Sequence, residues 1–178
     1  MLKAARVVKD FLELELCEVH ADRMDEYRFN ADTNDTQSPG AYSRYGLHWD
    51  LLEHCHEKAE EAFGIELYPT YDYCRIYQTG NDLFRHKDRP SCECSLTLNL
   101  RNVGDPWEFH WEGGSYAMHP GEAVAYRGCD VAHWREENKS KEVYQVFLHY
   151  VDANGPHANR RNEYMRPDAL RGPQRQGS

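Results

Sequence analysis

Several features that would settle the class of this chain at once are missing from it. No apolar run approaches the roughly 20 residues needed to cross a bilayer, and the mean hydropathy is -0.89. The opening residues, MLKAARVVKDFLELELCEV, carry charges throughout. They lack the uninterrupted apolar centre of a secretory leader, so the expectation is a cytoplasmic protein with no membrane contact. Basic residues are scarce: 21 Lys and Arg face 30 Asp and Glu, for a formal charge of -9. Duplex nucleic acid is held by cations on phosphate, so it is not an expected partner. No CxxC pair occurs among the six cysteines 17, 55, 74, 92, 94 and 129, which removes zinc-ribbon spacing. No GxSxG and no paired Cys/His motif marks a nucleophile. Gly113-Gly114 lacks the Lys-Ser/Thr ending of a phosphate-binding loop. Repeats and low-complexity blocks are absent too.

What remains is one domain's worth of ordinary globular sequence. The chain has 178 residues, 40% of them hydrophobic, enough for a sizeable core. Without a leader, all six cysteines read as reduced, and Cys92 and Cys94 sit two apart in a strand-like run where both side chains point the same way. Asp10 is placed to cap a helix through FLELELCEVHADRMDEY, with Leu12, Leu16 and Val19 at helical spacing beside Leu14 and Cys17. NADTNDTQSPG reads as a loop. A second helix covers WDLLEHCHEKAEEAF, with Leu52, Cys55, Ala59 and Ala62 as its buried stripe and Gly64 as its stop. His54 and His56 diverge on that helix and make no joint ligand pair.

After Pro69 the pattern changes. TYDYCRIY, CSLTLNL, EAVAY, DVAHW and EVYQVFLHYV are strand-like and separated by turn residues. Helices first and strands after predict a mainly β fold with flanking helices, a jelly-roll or small barrel. The division is a single domain over 1–152, with helical support over 1–66 and a β core over 67–152. An Arg-rich tail follows over 153–178, a lid or a disordered terminus, where five Arg outnumber two acids. Tyr71, Tyr73, Arg75 and Tyr77 share one strand face. Asp72, Cys74 and Ile76 share the other. In ECSLTLN the apolar face is Cys94, Leu96, Leu98 and Leu100, and the polar face is Glu93, Ser95, Thr97 and Asn99. Periodicity alone leaves two accounts of these polar faces: solvent, or the wall of a ligand cavity. Trp107, Phe109, His110, Trp111 and Trp134 offer either an aromatic wall or ordinary packing.

The chemistry concentrates in TGNDLFRHKDRP. His86 and Asp88, two apart on an extended segment, project to one side and can grip one ion. His133 in DVAHWREE supplies a second imidazole from a distant strand. Two His and one carboxylate with open positions are the facial triad of non-haem Fe(II) oxygenases. With PTYDYCRIYQTGNDLFRHKDRPSCECSLTLNL, MHPGEAVAYRGCDVAHWREE and EVYQVFLHYVD on the page, the chain resembles the Fe(II)/2-oxoglutarate-dependent dioxygenases. It looks like their prolyl-hydroxylase-like branch, and specifically like small uncharacterised bacterial and phage members.

That resemblance implies a double-stranded β-helix core, cupin-like, packed against the N-terminal helices. It implies Fe(II) on His86, Asp88 and His133, 2-oxoglutarate as co-substrate, O2 as oxidant, and release of succinate and CO2. A carboxylate at Asp88, where related halogenases have a small residue, implies hydroxylation without halide. Arg89 and Glu93 are placed to support the ligands or to form an ordinary salt bridge. Most of the branch carries a Lys or Arg nine or ten residues past the distal His; this chain has Glu142 and Val143 there. Arg135 is the first candidate for the far carboxylate of 2-oxoglutarate, then Arg75, with Lys141 beyond them; Tyr77 is a hydroxyl donor and Ser95 completes the set. The implied substrate is a peptide, a protein side chain, a free amino acid or another small molecule. Two other readings fit the same triad: a cupin-like metal- or ligand-binding module without oxygenase chemistry, and a metal enzyme with a different co-substrate.

Overall fold

A computed structural model describes residues 2–28, 31, 33 and 35–163. In chain order the elements are β1 (Ala5–Val8), α1 (Leu14–Glu26), β2 (Tyr42–Tyr45), α2 (Trp49–His54), α3 (His56–Phe63), β3 (Leu67–Gln78), β4 (Leu83–His86), β5 (Cys94–Val103), β6 (Trp107–Trp111), β7 (Gly114–Met118), β8 (Ala123–Arg127), β9 (His133–Arg135) and β10 (Glu142–Asp152). Two sheets result. One has the order β1-β8-β5-β10-β3-β2, the other β4-β9-β6-β7, and every pairing is antiparallel. This is the double-stranded β-helix, and the expected fold class holds.

The alternation along β3, β5 and β10 builds both faces of the larger sheet. Cys74, Ile76, Leu96, Leu98, Val146 and Leu148 turn outward under the helices and are sealed there with Cys17, Ala21, Met24, Leu52 and Phe63. Burying each of the Leu, Ile, Val, Met and Phe side chains among them is worth about 1.5–3 kcal/mol. The opposite, polar face turns inward between the sheets. Ser95, Thr97 and Asn99 are buried there, so the question left by periodicity is answered by the second sheet, which covers that face.

Four local expectations are corrected. α1 begins at Leu14 behind Glu13, without a side-chain cap. Asp10 instead takes a left-handed turn at φ 52°. The buried stripe of α1 is Cys17, His20, Ala21 and Met24, while Leu14 and Val19 are exposed; polar and small residues hid the true face. The second helix breaks at Cys55 into α2 and α3, though Leu52, Cys55, Ala59 and Ala62 are buried as expected. Gly64 ends α3 at φ 69°, a conformation that glycine enters without strain. Cys92 and Cys94 do not point together. Cys92 sits in a 3-10 turn and contacts Tyr71, whereas Cys94 joins the core under the helices. All six cysteines are free thiols.

Past Asp152 the chain folds back along β3 as far as it is described. Asn162 N–H donates to Pro69 O at 2.8 Å, and Ser91 Oγ donates to Glu163. The remainder of the Arg-rich tail, 164–178, lies outside the described residues. No helix among the described residues is long and apolar enough to cross a membrane.

Candidate metal centre

Cross-strand register builds the centre. His86 on β4 pairs directly with His133 on β9, which sets the two rings 4.3 Å apart between centroids. Asp88 follows β4, and its backbone N–H donates to Gly128 O at 2.8 Å. Its carboxylate Oδ1 then lies 3.4 Å from His86 Nε2 and 3.5 Å from His133 Nε2. Gly128 makes room for this: a Cβ there would collide with the Asp88 carboxylate and with Cys92 O. One ligand-type atom from each of the three residues falls within 4.8 Å of the others.

The hydrogen bonds assign the tautomers. His86 Nδ1 is 2.6 Å from Phe84 O and His133 Nδ1 is 3.0 Å from Val131 O. A carbonyl only accepts, so each Nδ1 carries a proton, and a ring that is neutral keeps its lone pair on Nε2. With both rings neutral, two lone pairs and a carboxylate oxygen face one point, an arrangement that a cation satisfies. Burial works to raise the Asp88 pKa, but hydrogen bonding and charge from His133 and His86 in their protonated forms outweigh it. The carboxylate is thereby held well below its usual range. The side chain of His133 is only 2% exposed, packed against Tyr126 and Phe109.

The three residues open on a cavity of about 500 Å³, within the range of small-molecule sites. Tyr71, Tyr73, Arg75, Phe147 and His149 form its wall on the larger sheet, with Tyr126 at its base. Asp35 and Gln37 come from the loop before β2. Sequence reading did not single out Asp35, His149, Tyr126 or Phe147. The inward alternation of β8 and β10 carried the signal for the last three, and nothing local marked Asp35.

The remaining candidates fall in different places. Arg75 lines the cavity but is already neutralised: its Nη2 lies 2.6 Å from Asp35 Oδ2, and both side chains are buried. Tyr77 is buried behind the wall, with its hydroxyl 3.3 Å from Arg75 Nη1. Ser95 Oγ donates to Cys92 O at 2.9 Å and lies 2.8 Å from His149 Nδ1, also behind the lining. Arg135 is 2% exposed. Its Nη1 donates to Trp107 O at 3.0 Å, its Nη2 to Met118 Sδ at 3.2 Å, and its Nε has no partner. No carboxylate pairs with it among the described residues. Burial pulls its pKa down to about 10, and Tyr77 and Tyr126 push the other way.

Lys141 N–H donates to Val103 O in the turn before β10. Trp107 and Phe109 are packing residues inside the smaller sheet, while His110 and Trp134 stack on each other at 5.5 Å. None of the four lines the cavity. Glu93 pairs with Arg127 at 2.9 Å, and Arg89 lies over Tyr71.

No family profile matches the chain by sequence, and no curated protein does. Its architecture, however, is shared with solved structures. A viral collagen prolyl hydroxylase from Paramecium bursaria Chlorella virus-1, in complex with 2-oxoglutarate, superposes with a TM-score of 0.66 at 12% identity, over 83% of this chain and 96% of its own. A 2OG-Fe(II) oxygenase-family oxidoreductase from Burkholderia pseudomallei gives 0.67 at 16% identity, over 89% and 88%. The non-haem α-ketoglutarate-dependent epimerase SnoN of nogalamycin biosynthesis gives 0.69 at 10% identity, over 84% and 79%. The fold is thus the one these 2-oxoglutarate-dependent enzymes have. A hydroxylase and an epimerase share it, so it names no reaction by itself.

Proposed function

We propose that this chain is an Fe(II)/2-oxoglutarate-dependent dioxygenase, with His86, Asp88 and His133 as the iron ligands. The observation that carries the reading is the convergence of two Nε2 lone pairs and one ionised carboxylate oxygen on the cavity. That donor set suits ferrous iron and leaves positions open for small reactants. Once bound, iron with 2-oxoglutarate and O2 supplies the oxidising power, with succinate and CO2 as co-products.

The chain's own residues supply position and shielding. Phe84 O and Val131 O fix the imidazole tautomers. Arg135 is our assignment for the far carboxylate of 2-oxoglutarate. Val143, at the position where the branch usually has a cation, is apolar and buried, and Glu142 points away to Arg28 at 2.9 Å. Arg75 is spent on Asp35, whereas Arg135 is a buried charge still lacking an anion, and an uncompensated buried charge is costly. Tyr77 stands beside it as the hydroxyl donor. The wall of Tyr71, Tyr73 and Phe147 faces the substrate. The reading is hydroxylation of a peptide, a protein side chain or an amino acid, on residues 1–152 as one oxygenase domain.

A binding module without oxygenase activity is the second reading. It is favoured by one observation: Arg135 is not among the residues that line the cavity. Aerobic succinate release, with Fe(II) and 2-oxoglutarate, measured across amino acids, peptides and cell extract, separates the two. Release raised by one fraction and lost in Asp88→Ala supports the oxygenase. Equal release from wild type and Asp88→Ala, both folded, would leave the binding module.

A further inference from the structure

The same cavity holds a second donor cluster that the oxygenase reading leaves unused. Asp88, Cys92 and His149 each place one ligand-type atom within 4.8 Å of the others, and all three line the cavity. They come from three separate elements: the stretch after β4, the 3-10 turn Pro90–Cys92, and β10. Each donor is held by a neighbour. The Tyr71 hydroxyl lies 2.9 Å from Cys92 Sγ. Ser95 has one hydroxyl proton and donates it to Cys92 O at 2.9 Å, so at 2.8 Å it accepts from His149 Nδ1–H. The His149 Nε2 is then left with the lone pair a metal needs. The Asp88 carboxylate is divided between the two clusters. Its Oδ1 faces His86 and His133, and its Oδ2 lies on the Ser95 side, 3.4 Å from that hydroxyl.

We propose that Asp88, Cys92 and His149 form a second metal site, bridged to the first by the Asp88 carboxylate, that takes a thiophilic divalent ion of the zinc type. The donor chemistry chooses the ion. A thiolate with an imidazole and a carboxylate is a zinc-like set with a fourth position open, whereas the His86–Asp88–His133 set contains no sulfur. Binding displaces the Cys92 thiol proton to solvent and forms the sulfur–metal bond. One carboxylate can span two ions because such pairs lie only about 3.5–4 Å apart. The inference does not need the oxygenase reading, since it concerns which ion binds and not what reaction follows.

Cobalt(II) tests it, because a thiolate bound to cobalt gives a near-ultraviolet charge-transfer band. The full chain, stripped of metal under reducing anaerobic conditions, is titrated with Co²⁺. The expected result is two equivalents per chain with the thiolate band. Cys92→Ser should keep one equivalent and lose the band. The double variant His86→Ala, His133→Ala should keep one equivalent and the band. Circular dichroism of each variant checks folding, and a wild-type spectrum without the thiolate band overturns the proposal whatever the variants do. A saturated wild type with one equivalent, with no thiolate band, or with a band that survives Cys92→Ser overturns the proposal. The succinate assay can fail while the band appears, and the reverse, so the two readings are tested separately.

Discussion

At Arg135 the molecule carries a buried positive charge that no carboxylate among the described residues neutralises. Replacing such a group by an apolar side chain of similar volume is often neutral or stabilising, by about 1–4 kcal/mol. Arg135→Met is therefore expected to melt no lower than wild type in the absence of co-substrate. It should also lose most of the rise in melting temperature that metal plus 2-oxoglutarate gives the wild type, since a ligand stabilises only what it binds. Thermal melts with and without 2-oxoglutarate check both halves. Gly128 is a second sensitive position. A methyl group there presses on Asp88 and Cys92 O, so Gly128→Ala should weaken metal binding by roughly 10–100-fold, the range seen when support for metal ligands is disturbed. Isothermal titration with Mn²⁺ checks it, and unchanged affinity would contradict the packing account. These two residues also show what the sequence made legible. HxD and a distant His are short-range patterns and could be read directly. Gly128, Asp35 and the isolation of Arg135 depend on contacts between segments far apart in the chain, and no local pattern encodes those.

At the scale of elements, the alternation in β3, β5 and β10 was legible because one face of each is continuously apolar. The helix α1 was legible too, but its inner face was not, because that face is Cys17, His20, Ala21 and Met24, which a hydrophobic period underweights. Packing α1 and α2 on the sheet brings His20 Nδ1 to 2.9 Å from His48 Nδ1. Burial pulls the His48 pKa down to about 3 and His20 downward, helped in each case by nearby positive charge. Beside them, burial raises Asp72 to about 6, and its carboxylate accepts from His48 N–H at 2.9 Å. The signs oppose. The unfolded chain takes up the histidine protons that the native state refuses, so below about pH 6.5 the pair removes stability as pH falls, up to about 1.4 kcal/mol per unit for each group. Asp72 takes a proton in the native state first, so between about pH 6 and 4 it adds stability as pH falls. His48→Gln should flatten the loss of stability on acidification, and Asp72→Asn should steepen it. Urea midpoints from pH 7 to 4 read the two slopes, and identical slopes in all three proteins would contradict the assignment.

At the scale of the whole molecule, a helical layer seals one face of a sheet so that the other face can line a cavity. The class of fold was legible from helices followed by short strands. The sealing was not, because β1, β2, β6 and β7 were not read as strands and β4 only as an extended segment, and the smaller sheet that closes the cavity depends on three of these. With net charge -9 and a carboxylate at the proposed iron site, the molecule is expected to gain stability from a cation bound there. Chelation of the iron-loaded protein should lower its melting temperature, and Asp88→Ala should abolish that difference. The most direct test of the central claim is optical. Fe(II) and 2-oxoglutarate are added anaerobically to the full chain, and the visible metal-to-ligand charge-transfer band is recorded. A band in wild type that is absent in folded His86→Ala is the predicted result. No band from wild type that has bound its ferrous ion would contradict the account.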